Sequence, residues 1–527
     1  MKKSTNWLFA VASGLLLWAA WPVSPFTLLI FVAWIPLLWI ETQVKSRRTF
    51  FALTYLTTFT WNVATTWWVW NASEPGAVAA FVANSFLMCF PWLGFKIAKK
   101  WLGEKAGYVS LIAFWLCFEY IHLQDWGLSW PWLTIGNVFA SHPQWVQWYE
   151  YTGTSGGSLW VMIVNVLLFL HIRNNINRTE AKSYKNLMAA ILILILPVTI
   201  SILIPAYKSG PANRKNVLVV QPNIDPYEKI SAGTIEAQLQ KLIETSEKEI
   251  DQNTALVIWP ETAVYVEGGI EETKMKQNFF LNPLWNFLRR HPNITLFTGV
   301  ESYREYDNKQ TTTAKPLGNS HFYDGYNGSV LLDSTGALAF YHKSKLVPGV
   351  ETLPWFLKFI DSWFEKFGGT TAGYTTQKER TVLNDAKHGY KIAPAICFES
   401  IYGEFMTEYV RNGANVICTI TNDGWWRNTP GHKQHMNYAR LRAIETRTWV
   451  ARSANTGISC FIDPNGVVIE PRQYNTIAAI KFNIPVSNDK SKTFYVQYGD
   501  LISKGITIAA IAFIIMSFIK WIKRKSA

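Results

Sequence analysis

The sequence predicts a two-part protein: an α-helical polytopic membrane domain of about eight helices, joined to an α/β domain set before the last of them. Three observations carry this reading. Apolar runs crowd the N-terminal part and return once near the C-terminus. Charged residues make up only 17% of the 527, below the quarter usual in soluble domains, so a large share of the chain avoids water. The polar block between the two apolar regions alternates strand and helix patterns. The mean hydropathy of +0.05 averages over two unlike parts. A hydrophobic content of 49% excludes disorder, and five cysteines are too few for a disulfide scaffold.

The apolar runs fall at about 7–21, 26–40, 50–70, 77–98, 108–123, 159–172, 187–206 and 505–519, where roughly 20 apolar residues cross a bilayer. Lys and Arg near span ends stay cytoplasmic. Here they cluster at the N-terminus (Lys2, Lys3) and after the even spans: Lys45, Arg47 and Arg48; Lys96, Lys99, Lys100 and Lys105; Arg173, Arg178, Lys182 and Lys185; Lys520, Lys523, Arg524 and Lys525. The odd junctions 22–25, 71–76 and 123–158 contain neither residue. The expected division is therefore 1–206, seven membrane helices; 207–500, an extracytoplasmic domain; and 501–527, an eighth helix with a basic cytoplasmic tail. This pattern places the globular block outside the cytoplasm, with both termini inside. Much of the net charge of +13 is thus a topology signal, and no nucleic-acid partner is expected. The first span has signal-peptide features, but Leu17 stands where a small residue is wanted before cleavage, so a retained helix is expected.

Segment 124–158 is crowded with Trp126, Trp130, Trp132, Trp145, Trp148, Tyr149 and Tyr151, which reads as an interfacial aromatic belt or a re-entrant element. Within it, Gly153-Thr154-Ser155-Gly156-Gly157 matches a G-x-S-x-G elbow. That motif needs a strand before it; none precedes it, so loop and capping roles are expected.

In the polar block, 216–221, 255–259, 294–300, 328–333 with 338–341, 391–397, 416–421, 450–453 and 459–462 read as strands, and 236–250 and 433–448 as helices. Glu261, Lys343 and Cys397 each stand at or just past a strand end, where α/β sheets present reactive groups. A thiol is a good acyl acceptor only as thiolate; a carboxylate can take its proton, and an ammonium can hold the developing oxyanion. Taken singly these signals are weak: Lys345 competes with Lys343, and Cys418 and Cys460 read as core residues. His432 and His435 lie three apart on a helix without a third ligand at metal spacing, so a metal site is not expected.

The ordered segments WPET (259–262), YHKSKLVP (341–348) and ICFES (396–400) resemble the three signatures of the carbon–nitrogen hydrolase (nitrilase) superfamily, as do TNDGWW (421–426) and RLRAIE (440–445). With the membrane spans, the whole chain resembles the bacterial membrane-embedded N-acyltransferase branch of that superfamily. The resemblance implies an αββα sandwich, a triad of Glu261, Lys343 and Cys397, and substrate-side or supporting roles for Glu351, Glu399, Phe398, Trp425 and Trp426. It implies a membrane phospholipid as acyl donor, an S-diacylglyceryl apolipoprotein as acceptor, a Cys397 thioester between them, and no cofactor or metal; the chain is expected to act as a monomer. A membrane-bound amidase or nitrilase is the alternative. There are departures: Pro348-Gly349-Val350-Glu351 where the family often has Pro-Phe-Gly-Glu, Phe398 where Tyr is common, and no Trp near Lys229 and Ile230.

Overall fold

The computed structural model describes residues 5–124, 126–177, 184–208, 213–227, 234–318, 321–352, 373–486 and 492–526. Lys2, Lys3, Arg178, Lys182, Lys229 and Ile230 lie outside the described residues. The chain divides into two compact units. One holds Met1–Trp70, Glu74–Pro205 and Tyr498–Ala527; the other holds Asn71–Ser73 and Ala206–Gln497.

The first unit is helical. Glu74–Leu102, Tyr149–Ile176, Lys185–Leu203 and Leu501–Arg524 are long and apolar enough to cross a membrane, and Asn6–Ala20 and Thr27–Gln43 are shorter apolar helices. Two further helices, Arg47–Thr66 and Glu104–His122, complete the series seen in the apolar runs. Arg47–Thr66 is rich in threonine, yet it tolerates an apolar setting because its hydroxyls donate one turn back, Thr54 to Phe50 O (2.9 Å), Thr58 to Thr54 O (3.1 Å) and Thr60 to Leu56 O (2.8 Å). Four fully buried tryptophans knit the unit: Trp34 meets Trp61, Trp92 and Trp115 at centroid distances of 5.8, 5.1 and 5.0 Å.

The aromatic segment differs from the belt expected of it. It forms tight turns, Pro131–Leu133, Ile135–Ser141 and Pro143–Trp145, packed inside the unit. Trp132 is fully buried between Trp68 (4.8 Å) and a parallel Trp130 (5.6 Å). The cause is a set of long-range polar anchors: the Glu119 carboxylate accepts from Ile135 N–H (2.8 Å), and Tyr149 Oη donates to Gly136 O (2.8 Å). The Gly153–Gly157 run is not loop either. It lies within the helix Tyr149–Asn177, kinked at Gly153 (φ 59°, ψ −166°), and Ser155 Oγ donates to Asp500 (2.7 Å). Its glycines serve close packing: a Cβ on Gly157 would sit 1.8 Å from Tyr149 Oη.

The second unit is a four-layer αββα sandwich. One sheet contains β1 (Asn213–Gln221), β2 (Thr254–Ile258), β3 (Ile270–Glu271), β4 (Thr295–Tyr306), β5 (Lys315–Leu317), β6 (His321–Asp333), β7 (Leu338–His342) and β14 (Ala478–Val486), in the order β14-β1-β2-β4-β6-β5 with β3 beside β4 and β7 beside β6. The other runs β13-β12-β11-β10-β9-β8, from β8 (Leu383–Asp385), β9 (Tyr390–Ile396), β10 (Val416–Thr421), β11 (Trp449–Ala454), β12 (Cys460–Ile462) and β13 (Val468–Ile469). The centres, β1-β2-β4 and β9-β10-β11, are parallel and buried on both faces, which is why they read as unbroken β-branched runs. Helices Ile235–Glu247 and Asn282–Arg290 cover the first sheet through Leu239, Leu242, Leu284 and Phe287. Gly403–Arg411 and Pro430–Thr446 cover the second. The sheets are tied face to face where Ser453 Oγ donates to Val220 O (2.7 Å). Parallel strands deliver their C-terminal ends to one edge of the sandwich, and the candidate chemistry collects there.

Candidate active site

Glu261 follows β2 by three residues. Trp259 fixes that exit: it is fully buried, takes its place beside β4 through its N–H to Phe297 O (2.9 Å), and donates its indole N–H to Ser246 Oγ (2.9 Å). The turn then bends sharply, with Thr262 at φ 48°, a conformation non-glycine residues rarely adopt. Gly299 on β4 permits the bend. A Cβ there would lie 2.4 Å from Thr262 N and 2.7 Å from Glu261 Cα. Gly299→Ala is therefore expected to displace Glu261 and lower turnover at least ~100-fold, since small misplacements of a reacting group are that costly. Steady-state kinetics beside far-UV circular dichroism would check it.

Lys343 follows β7 directly and is 1% exposed. Its Nζ donates to Glu261 Oε1 (3.2 Å) and Glu351 Oε1 (2.7 Å). Asn327 on β6 bridges the same two oxygens, at 2.9 and 2.8 Å. Glu261 Oε2 accepts from Asn422 N–H (3.1 Å), at the end of β10. Burial works against the ammonium, but the two carboxylates outweigh it and hold Lys343 charged well above the usual lysine range. Lys345 points elsewhere, over the rings of Tyr402 (5.4 Å) and Phe405 (5.9 Å). The departure at Gly349 is absorbed by a turn: Gly349 has φ 79°, and Val347 N–H reaches Glu351 Oε2 (2.8 Å).

Cys397 directly follows β9 and adopts φ 52°. Its thiol is hydrogen-bonded to Thr421 and feels both Glu261 and Lys343. Burial and the Glu261 charge push its pKa up while Lys343 draws it back, so the resting sulfur is a thiol whose proton must leave as bond formation proceeds. Glu399 is fully buried and ties this turn to the lysine loop, accepting from Ile396 N–H (2.9 Å), Ser344 N–H (2.6 Å) and Tyr341 Oη (2.7 Å). Burial raises its pKa against the pull of those donors. Phe398 is buried edge-on to Tyr402 at 5.4 Å. Trp426 packs edge-on against His435 at 5.4 Å, whereas Trp425 is 41% exposed.

Arg452 and Asp423, to which the sequence assigns no role of their own, and His435, whose two sequence readings are a surface or a supporting role, back the cysteine from behind. Arg452 Nη2 donates to Asp423 Oδ2 (2.6 Å); Asp423 Oδ1 lies 3.0 Å from His435 Nδ1; and His435 Nε2 lies 3.1 Å from the Cys397 carbonyl and 2.9 Å from Ser400 Oγ. All three side chains are buried, which favours the supporting role for His435 over the surface one. His432 is buried too, and among the described residues no group of three His, Cys, Asp or Glu is placed to hold a metal. Burial opposes the Asp423 charge, but Arg452 and His435 keep it ionised far below the usual carboxylate range. Burial and Arg452 lower His435 against the pull of the Asp423 carboxylate. Nδ1 faces the acceptor-only Asp423 carboxylate and so carries a proton toward it, while Nε2 meets Ser400 Oγ and the carbonyl of the strained Cys397. His435→Gln keeps an N–H donor and is expected to stay within a few-fold of wild-type turnover. His435→Leu is expected to lose ~30-fold or more, the scale of a buried hydrogen bond left unmade to a reacting residue. The alkylation rate of Cys397 in the two variants would check this.

A model of the carbon-nitrogen hydrolase family matches residues 217–485, just over half of the chain, and so assigns the class that the sandwich and its strand-end residues define. A model of the apolipoprotein N-acyltransferase N-terminal domain matches residues 13–167. The apolipoprotein N-acyltransferase of Chlorobaculum tepidum is 28% identical over 95% of this chain and 94% of its own. That of Rickettsia bellii is 30% identical over 76% of this chain and 73% of its own. A nitrilase-superfamily protein from Saccharomyces cerevisiae is 16% identical, covering 53% of this chain and 93% of that one, at a TM-score of 0.38. This chain belongs to the apolipoprotein N-acyltransferase family, a membrane-integrated group of carbon–nitrogen hydrolases.

Proposed function

We propose that the enzyme moves a fatty acyl chain from a membrane phospholipid to the N-terminal S-diacylglyceryl-cysteine of an apolipoprotein, through a thioester on Cys397. The observation that carries this reading is the buried Glu261–Lys343–Glu351 cluster, whose charges act on the thiol of a strained Cys397. In the first half-reaction the Glu261 carboxylate takes the Sγ proton while the sulfur attacks the ester carbonyl. The tetrahedral oxyanion forms beside the Lys343 ammonium and backbone N–H groups. Its collapse breaks the carbon–oxygen bond, and Glu261 returns the proton to the departing lysophospholipid oxygen. In the second half-reaction the free α-amine attacks the thioester. Glu261 accepts the amine proton and passes it to Sγ as the carbon–sulfur bond breaks, leaving an amide and a thiol. Lys343 stays charged throughout and is the electrostatic partner, not the base.

Glu351 and Glu399 serve by position in this scheme: the first shares the charge of Lys343, the second locks the cysteine and lysine turns together. The alternation of basic junctions supports placing the globular unit on the periplasmic side with both termini in the cytoplasm. The enzyme acts as a monomer in this reading. Expression in cells lacking lipoprotein N-acylation tests the whole: the N-terminal lipopeptide should gain one acyl mass. Purified enzyme that releases free fatty acid at the same rate with or without the amine acceptor would instead be a hydrolase.

A further inference from the structure

Beside the catalytic edge lies a cavity of about 530 Å³ lined by Asn223, Asp225, Tyr227, Arg427, Thr456 and Tyr474, among others. Its wall includes Gly424, two residues beyond the Asn422 N–H that holds Glu261. Arg427 dominates it. The residue closes the turn Asp423–Trp426 at φ 55°, ψ −165°, a backbone region that glycine almost alone occupies. Its guanidinium lies over the Tyr227 ring, 5.3 Å from the centroid, and is exposed at the cavity. It has no carboxylate partner among the described residues. Tyr227 is itself braced, donating through Oη to Trp425 O (2.7 Å) and through its backbone N–H to Asp225 Oδ1 (2.9 Å). A strained backbone is therefore kept in order to present a Tyr227-braced guanidinium, without a carboxylate partner among the described residues, to a polar cavity. Such a fork suits the two oxygens of a phosphate group.

We infer that Arg427 and its cavity bind the phosphate group of the acyl donor, making Arg427 a specificity residue for the first half-reaction; this rests on the acyl-transfer reading above. The acceptor amine carries no phosphate, so the second half-reaction should not depend on it. Two variants test the inference on the full chain in phospholipid vesicles. Arg427→Gly relieves the backbone, and Arg427→Gln keeps a side chain of similar reach without charge. Both are expected to lower kcat/KM for thioester formation by roughly tenfold or more, the usual weight of a charge-assisted contact. Aminolysis of the preformed thioester should be unchanged. Arg427→Gly should melt at or above the wild-type temperature, because the strain removed exceeds the entropic cost of glycine.

Soluble sn-glycero-3-phosphate and inorganic phosphate separate the sources of the ligand. Competition with vesicle donor in the wild type, lost in Arg427→Gln, supports the site and shows that a free phosphate group suffices. Slower acylation in the variants without such competition supports a site that takes the group only on a lipid. Thioester formation within twofold of wild type in both variants overturns the inference. A wild-type enzyme forming no thioester at all refutes the acyl-transfer reading, and titration of sn-glycero-3-phosphate by calorimetry against wild type and Arg427→Gln then decides the site alone: equal heats overturn it.

Discussion

Cys397→Ser is expected to abolish the acyl-enzyme and to lower turnover by about a thousandfold or more. The hydroxyl is close in size to the thiol and tolerates φ 52° no worse, so the fold should persist. What changes is acidity. A serine hydroxyl is far less acidic than a thiol, and burial beside the Glu261 charge, which already pushes the thiol up, would push an alkoxide further. Nothing at the site compensates: the positive charge of Lys343 is already shared between two carboxylates. The measurement is intact-protein mass after incubation with labelled phospholipid. A covalent acyl label surviving in the variant would remove Cys397 from the mechanism.

Lys343→Met should be nearly as damaging to activity and much worse for stability. Methionine fills most of the volume of the lysine stem but leaves Glu261 and Glu351, joined through Asn327, without a cation in a buried setting. Breaking a buried pair by removing one partner costs about 3–5 kcal/mol. The pH dependence should separate this from a simple packing defect. In the wild type the raised Lys343 pKa contributes stability that is full below the unfolded lysine value and is lost only as pH rises through the higher folded one. In the variant two buried carboxylates are left without a cation, so protonation relieves the penalty and stability should recover as pH falls from neutral toward the ordinary carboxylate range. Adding Glu351→Gln should restore part of the stability and none of the turnover. Chemical denaturation in detergent across that range would read both effects, and a variant as stable as wild type at neutral pH would contradict the charge assignment.

Much of this architecture is local in origin, and so it is legible in the chain itself. Apolar runs of bilayer length and β-branched runs such as 416–421 are consequences of near-neighbour chemistry, and the strand Val416–Thr421 has the bounds its residues suggest. Glu261, Lys343 and Cys397 could be placed at strand ends from the chain alone, but the resemblance of their segments to the family signatures is what selected them. Their charge state could not be read that way. Choosing Lys343 over Lys345 needs Asn327 and Glu351 on one side and the Tyr402 ring on the other, and no spacing encodes those neighbours.

The same limit explains the two helical-unit readings that changed. An aromatic-rich stretch with prolines looks interfacial until Glu119 and Tyr149 seize its backbone, and a glycine run looks like loop until helix packing against Tyr149 requires the absence of side chains. Arg452, Asp423 and His435 are ordinary polar residues along the chain. Only the second sheet and its covering helix bring them behind the Cys397 carbonyl. By itself the sequence determined where membrane helices and buried strands arise and which residues stand at strand ends, because periodicity and burial act over a few neighbours. The tertiary structure alone decided which of those residues share charge, since that depends on contacts between segments as much as 161 residues apart, such as Glu261 and Asn422.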